Sequence, residues 1–198
     1  HHIEKAYTSG VALDPKVGGA VNKRNAPSML NLAYHTSYYW DGRGATLEAV
    51  SLAAWKGQLG ADPEAIATTL NANPTYKAMF MRAFGTAATP KAISDALGAW
   101  LRVLRNGNSA YDRSQAGDAK AMSTDARSGL KVFTSKGCVT CHVPPLFTDS
   151  TFHNIGIGDD PGRKDITKSD DDAGKFKTPS LRGVAQSAPY FHDGSAAT

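Results

Sequence analysis

Cys138-Val139-Thr140-Cys141-His142 decides how this chain is read. Two thiols separated by two residues can each add to a vinyl group of haem, and the histidine after them is placed to bind the iron from one side. The run is therefore a c-type haem attachment signal. Other uses of the spacing fit less well. A zinc knuckle needs a second pair of ligands, and the chain has only two cysteines, both inside this run. A thioredoxin-like redox pair does not call for the histidine and expects a strand-helix-strand setting, which residues 123–150 do not offer.

Working outward, 198 residues can fold as one large or two small domains, each with an adequate core. The net charge of +4 is modest, and Lys23, Arg24, Arg102, Arg105, Arg127 and Lys131 are dispersed, which argues against a nucleic-acid stripe. No apolar run reaches the roughly 18 residues that a membrane helix needs. A basic and then apolar leader is missing from the start, so any export signal is expected to have been removed or to lie upstream. Covalent haem attachment is normally done outside the cytoplasm, so a periplasmic location is expected.

The pattern predicts helices and loops with no convincing strands. Thr89-Pro90 opens a helix with Ile93, Leu97, Trp100, Leu101 and Leu104 at helical spacing, and Asn106-Gly107 closes it. Asp62-Pro63-Glu64 and Asn73-Pro74 predict short helices over 63–71 and 74–84, and Thr46 caps another to about Ala54. Ser123 to Phe133 reads as the helix leading into the haem signal, with Leu130 and Phe133 toward the cofactor. Residues 106–118 read as a polar loop and domain boundary. Residues 143–198 are rich in Gly, Pro and Asp, a composition that is stable only when wrapped around something large and apolar, such as haem.

Six further segments carry a resemblance. Arg24-Asn25-Ala26-Pro27-Ser28, Tyr39-Trp40-Asp41-Gly42-Arg43, Phe147-Thr148-Asp149, Phe152-His153-Asn154-Ile155-Gly156, Lys177-Thr178-Pro179-Ser180-Leu181-Arg182 and Ala188-Pro189-Tyr190-Phe191-His192-Asp193-Gly194 flank the haem signal. In this order the chain resembles the bacterial di-haem cytochrome c peroxidase and MauG family. The resemblance implies an all-α, loop-rich protein of two cytochrome-c-like domains, 1–112 and 113–198, with both termini truncated. Each domain would carry one haem c.

The resemblance also implies roles. Cys138, Cys141 and His142 hold the electron-transfer haem; His1 stands where the proximal ligand of the peroxidatic haem belongs, its two cysteines expected just upstream. A purification-tag remnant is the other reading of His1-His2. Trp40 matches the tryptophan between the haems, and Tyr39 an aromatic on the distal side of the first; for Trp40 the simpler reading is core packing, which is also the reading for Trp55 and Trp100. Asn25, Ser187 and Pro189 match a calcium site of hard oxygen ligands, although Asn25 could merely fix a turn before Pro27. Lys177 and His192 fall near a propionate of the second haem, with a solvated surface role as the alternative for each.

Three departures matter. By the resemblance, the nearest counterpart of the family glutamate that moves a proton during peroxide cleavage is Gln58 of Gln58-Leu59-Gly60, in a segment shorter by a residue or two; either the local match is shifted or the chain departs from ordinary peroxidase chemistry, since an amide cannot cycle a proton as a carboxylate can. Glu48 and Asp62 are the nearby carboxylates. Residues 3–34 lack the loop histidine that blocks the first iron in typical peroxidases, and His35 reads as a surface or packing residue. No sixth ligand for the second haem is visible: Met29, Met79, Met81 and Met122 are the methionines, with Met79 and Met81 expected on or beside a packed helix face. The resemblance implies an oxidoreductase acting on hydrogen peroxide with electrons from a small cytochrome c or copper protein. A MauG-like enzyme that oxidises residues of a protein partner and a plain electron-transfer cytochrome are the alternatives. Homodimers occur among the family.

Overall fold

The computed structural model describes residues 1–198. Side-chain caps account for six of the seven helix starts. Thr46 accepts from the Ala49 amide and opens α1 (Leu47–Ala54), which runs into a π turn over Trp55–Leu59 that ends at Gly60. Asp62, Asn73 and Thr89 cap α2 (Pro63–Ala72), α3 (Pro74–Phe84) and α4 (Pro90–Val103), each with proline in the first turn, where a missing N–H costs nothing. Ser123 caps α6 (Thr124–Ser135), which delivers the chain to the haem signal. A last short helix, α7, spans Lys164–Thr167.

Two local expectations are corrected. Residues 106–118 contain a helix, α5 (Ala110–Gln115), held by a reciprocal capping box between Ser109 and Asp112. The Ser-x-x-Asp signal was present, but only six residues follow it, too few for apolar periodicity to register. The chain also forms one antiparallel pair, β1 (Phe152–His153) with β2 (Phe176–Lys177), Phe152 opposite Lys177 and His153 opposite Phe176. Two-residue strands show no alternation to read.

The core lies in the helices. Ala67, Phe80, Ala88, Ala92 and Ile93 bury together beneath Trp55, Ile66, Leu70 and Leu97, and a second cluster joins Tyr38, Leu47 and Leu101 to Met29, Leu32, Val50 and Leu104. On α3 the packed side belongs to Phe80, whereas Met79 and Met81 are about half exposed, contrary to expectation. Trp100, expected in the core, is also exposed and rests edge-on against Tyr7 at 6.0 Å.

Three connections tie the C-terminal residues to this core. Arg24 donates to Asp160 through Nε and Nη2 at 2.7 Å each and also to Asp41. Arg182 grips Asp112 with both guanidinium nitrogens, at 2.9 and 2.6 Å. The Lys177 amide donates to the Trp40 carbonyl at 2.7 Å. Close approach at this seam explains Gly42: its φ is +76°, and a Cβ there would fall 2.4 Å from the Phe152 ring.

Candidate haem-binding site

Gly137, at φ +79°, turns the chain sharply out of α6, and Cys138–Thr140 follow as a single 3-10 turn. Both thiols are free, Cys138 exposed and Cys141 half-buried. His142 Nδ1 lies 3.0 Å from the Phe147 carbonyl oxygen. A carbonyl only accepts, so Nδ1 carries the proton and Nε2 keeps its lone pair for a metal. A hydrogen bond of this kind fixes both the tautomer and the orientation of an axial imidazole. Phe147 is itself held by the rings of Tyr111 at 4.9 Å and Phe133 at 6.2 Å. This donor set fits a covalently attached haem.

The chain start repeats the device. His1 Nδ1 bonds the Tyr7 carbonyl at 2.7 Å, which again leaves Nε2 free. Tyr7 and Phe147 share a φ of +56°, and each is followed by a buried threonine, Thr8 and Thr148. A positive φ is uncommon for aromatic residues, so the shared conformation marks the two loops as built alike. His1 and His142 are thus presented in the same way.

Tyr39 and Gln58 are brought together although 19 residues separate them: the phenol Oη is 3.2 Å from Gln58 Oε1 and 3.2 Å from the Val50 carbonyl. Both partners accept, so the single phenol proton is shared between two carbonyl oxygens. The Gln58 amide nitrogen is then turned away from Tyr39. Burial raises the Tyr39 pKa, with Arg43 pulling the other way. Glu48 does not join them; it binds Arg102 between α1 and α4, and Asp62 is spent capping α2. Neither carboxylate supplies the missing proton carrier. Sequence reasoning missed Arg43, whose guanidinium stacks 3.8 Å above the Tyr39 ring centroid and also pairs with Asp41 at 2.7 Å.

Asn25 is the hub around Trp40. Its carbonyl accepts from Trp40 Nε1 at 2.9 Å, its amide donates to the His192 carbonyl at 2.7 Å, and its side-chain nitrogen donates to the Pro189 carbonyl at 3.1 Å. Turning the side-chain amide over places Oδ1 beside the Pro189 oxygen, two hard donors of the kind calcium takes. The Ser187 hydroxyl donates to the Val184 carbonyl within its own turn, which leaves its oxygen lone pairs and its backbone carbonyl available to an ion. His192 is buried, stacks on Phe176 at 3.7 Å and meets Trp40 edge-on at 6.5 Å, with Nε2 left without a partner. Burial lowers its pKa.

Lys177 crosses the seam. Its Nζ donates to the Ser37 carbonyl and lies 5.9 Å from the Tyr38 ring, with no carboxylate alongside. Burial lowers its pKa to about 8. Half-buried His35 reaches the Ser150 hydroxyl at 3.4 Å, and burial followed by the Lys177 charge lowers its pKa to about 4. A second grouping escaped the sequence reading: Cys141, Asp149 and His153 converge within 4.8 Å, the last two joined at 2.7 Å. The Asp-x-x-x-His spacing was its only signal.

The comparisons agree with this geometry. The family model for di-haem cytochrome c peroxidase matches residues 1–120. The methylamine utilization protein MauG of Methylorubrum extorquens is 34% identical over 98% of the chain, and the cytochrome c peroxidase Ccp of Escherichia coli K12 is 30% identical over all of it. The chain spans 58% and 45% of those proteins' own lengths. A crystal structure of a MauG-like protein associated with microbial copper homeostasis superposes with a TM-score of 0.91 at 29% identity, over the whole chain and 66% of that structure. The chain belongs to the di-haem cytochrome c peroxidase family that includes MauG.

Proposed function

We propose that this chain forms the haem-bearing body of a periplasmic di-haem peroxidase that reduces hydrogen peroxide with electrons from a small cytochrome c or copper protein. The observation that carries the reading is the matched pair of imidazoles, His1 on the Tyr7 carbonyl and His142 on the Phe147 carbonyl. Residues 1–112 and 113–198 then act as two cytochrome-c-like units. Cys138, Cys141 and His142 hold one haem, and His1 is the axial ligand of the other. When bound, haem supplies an iron that accepts peroxide oxygen and exchanges electrons.

The protein side chains do the rest. Tyr39 holds the Gln58 carbonyl and so leaves the Gln58 N–H groups, on the side away from the phenol, to orient peroxide by hydrogen bonds; without a distal carboxylate the proton moves between its oxygens through solvent on that side. Trp40 relays electrons between the two units, its N–H anchored on Asn25. Asn25, Pro189 and Ser187 offer oxygens to a calcium ion that fastens the relay. Lys177, a half-buried cation with no carboxylate, receives a haem propionate, with His192 nearby.

A second reading, a MauG-like enzyme that uses peroxide to oxidise residues of a partner protein, is favoured by one observation. Residues 3–34 hold no histidine to block the first iron, so that face stays open without prior reduction. Stopped-flow mixing of the full-length holoprotein with hydrogen peroxide tests both readings. A fast oxidised spectrum and turnover of a reduced cytochrome are expected. An oxidised spectrum without cytochrome turnover selects the second reading, and no spectral change leaves only electron transfer.

A further inference from the structure

Two aromatic side chains next to one another in sequence, Tyr39 and Trp40, compete for any hole that peroxide generates. We propose that Arg43 decides the competition: its cation on the face of Tyr39 denies that ring the hole and leaves it to Trp40. The inference rests on the peroxide-dependent function above and makes Arg43 a positioning residue.

Three observations carry it. The Arg43 Cζ is 3.8 Å from the Tyr39 ring centroid, well within the range where a cation feels the ring electrons, and removing an electron from that ring would put two positive charges face to face, screened only in part by Asp41, which Arg43 shares with Arg24. A phenol escapes this penalty by losing its proton with the electron, but Tyr39 Oη faces only the Val50 carbonyl and Gln58 Oε1, neither of them a base. Trp40 differs on both counts. No guanidinium or ammonium stacks on the indole, whose ring neighbour is the His192 edge at 6.5 Å. An indole can also give up an electron and keep its N–H, here on the Asn25 carbonyl at 2.9 Å.

The electron count is simple. Hydrogen peroxide takes two electrons, and two protons from solvent, and leaves as two waters. One electron would come from the haem that His1 would hold and the other from Trp40, leaving an indole cation with its proton still on Nε1, and the small redox donor of the proposed function returns both electrons. Gln58 contributes by giving Tyr39 a carbonyl where a family glutamate would have offered a base.

The test is peptide mapping of mono-oxygenated side chains after the full-length holoprotein turns over peroxide without a reductant. Oxidation is expected at Trp40 and not at Tyr39. In Arg43→Met the Tyr39 share should rise about fivefold, the scale of one lost cation–π contact, and Arg43→Lys should restore the parent pattern by returning the charge. Asp41 keeps Arg24 in both variants. An unchanged map in Arg43→Met, from protein that still forms the oxidised spectrum with peroxide, overturns the role of Arg43. Should Arg43→Met not fold, Arg43→Gln, which also removes the charge, decides: an unchanged Tyr39 share in that variant overturns the role of Arg43. Absence of the oxidised spectrum in the parent instead overturns the function on which the inference rests.

Discussion

Residues 1–112 and 113–198, the two units proposed above, solve the problem of stability differently, although α5 runs across their join. Of the eleven buried hydrophobic residues, nine lie before it and only Met122 and Phe176 after it. The first region packs α1 to α4 around two apolar clusters, as any small helical domain does. The second relies on polar ties: Thr148 to the Thr178 carbonyl, Ser180 to the Leu146 carbonyl, Arg182 to the Pro145 carbonyl and Asp112. Such ties fix geometry but contribute little net stability, because each replaces a bond to water. The second region is a polar frame around the CxxCH signal, and the haem proposed to attach there would supply its apolar core.

Removing that core is the strongest way to break the comparison. In the full-length holoprotein, Cys138→Ala with Cys141→Ala should cost the C-terminal region about 4 kcal/mol or more, the scale of a ligand lost from a thousandfold excess over its Kd. Hydrogen exchange should then accelerate across 113–198 while the amides of α2, α3 and α4 keep their protection. Equal protection in both regions after haem loss would show that the polar frame stands by itself.

Arg182→Gln comes next. The guanidinium is 8% exposed at its side chain and pairs with Asp112, which it holds well below the usual carboxylate range together with Ser109. Removing one partner of a largely buried pair leaves the other poorly solvated, so a loss of about 2–4 kcal/mol is expected in urea unfolding. The loss should fall on residues beyond 112, because Arg182 also pins the Pro145 carbonyl ahead of Phe147. A change under about 0.5 kcal/mol, typical of exposed pairs, would mean the tie is ornamental.

How much of this was legible follows the same division. Helices α1 to α4 and α6 announced themselves by a cap and, in three cases, a following proline, since those signals act within a few residues. The haem signal was legible for the same reason. What stayed hidden depends on long-range placement. Tyr39 finds Gln58 only because the π turn after α1 brings residue 58 back, and Arg43 stacks on Tyr39 because the turn at Gly42 doubles the chain on itself. The Asp149–His153 pair and the β1–β2 ladder belong to the loop-rich region, where no periodicity exists to be read. Of the two carboxylates near Gln58, Asp62 serves the helix cap read from its sequence and Glu48 is taken up by Arg102 across α1 and α4, a pairing no local signal announces.

The smallest expected effect sharpens the comparison at the seam itself, where His35 of the first region meets Ser150 and Lys177 of the second. Folding lowers the His35 pKa to about 4 from an ordinary value of 6.5. Between those values the unfolded chain binds a proton that the folded chain refuses, so this contribution is fully present above pH 6.5 and is lost as pH falls toward 4. Acidifying from pH 7 to 5 should therefore cost about 1–2 kcal/mol through this group. His35→Gln cannot titrate and should lose correspondingly less over the same interval, while the carboxylates, common to both proteins, cancel in the difference. Lys177 does not blur the result, since its pKa of about 8 confines its own effect to the interval up to 10.5, where rising pH stabilises the fold. It does enter indirectly: Lys177→Met removes the second cause of the lowered His35 pKa and should shrink the acid loss without abolishing it, because burial is the larger cause. Identical pH slopes in the parent and His35→Gln would show that the seam opens to water before His35 is protonated, and that the two regions part earlier than the hydrogen bonds between them suggest.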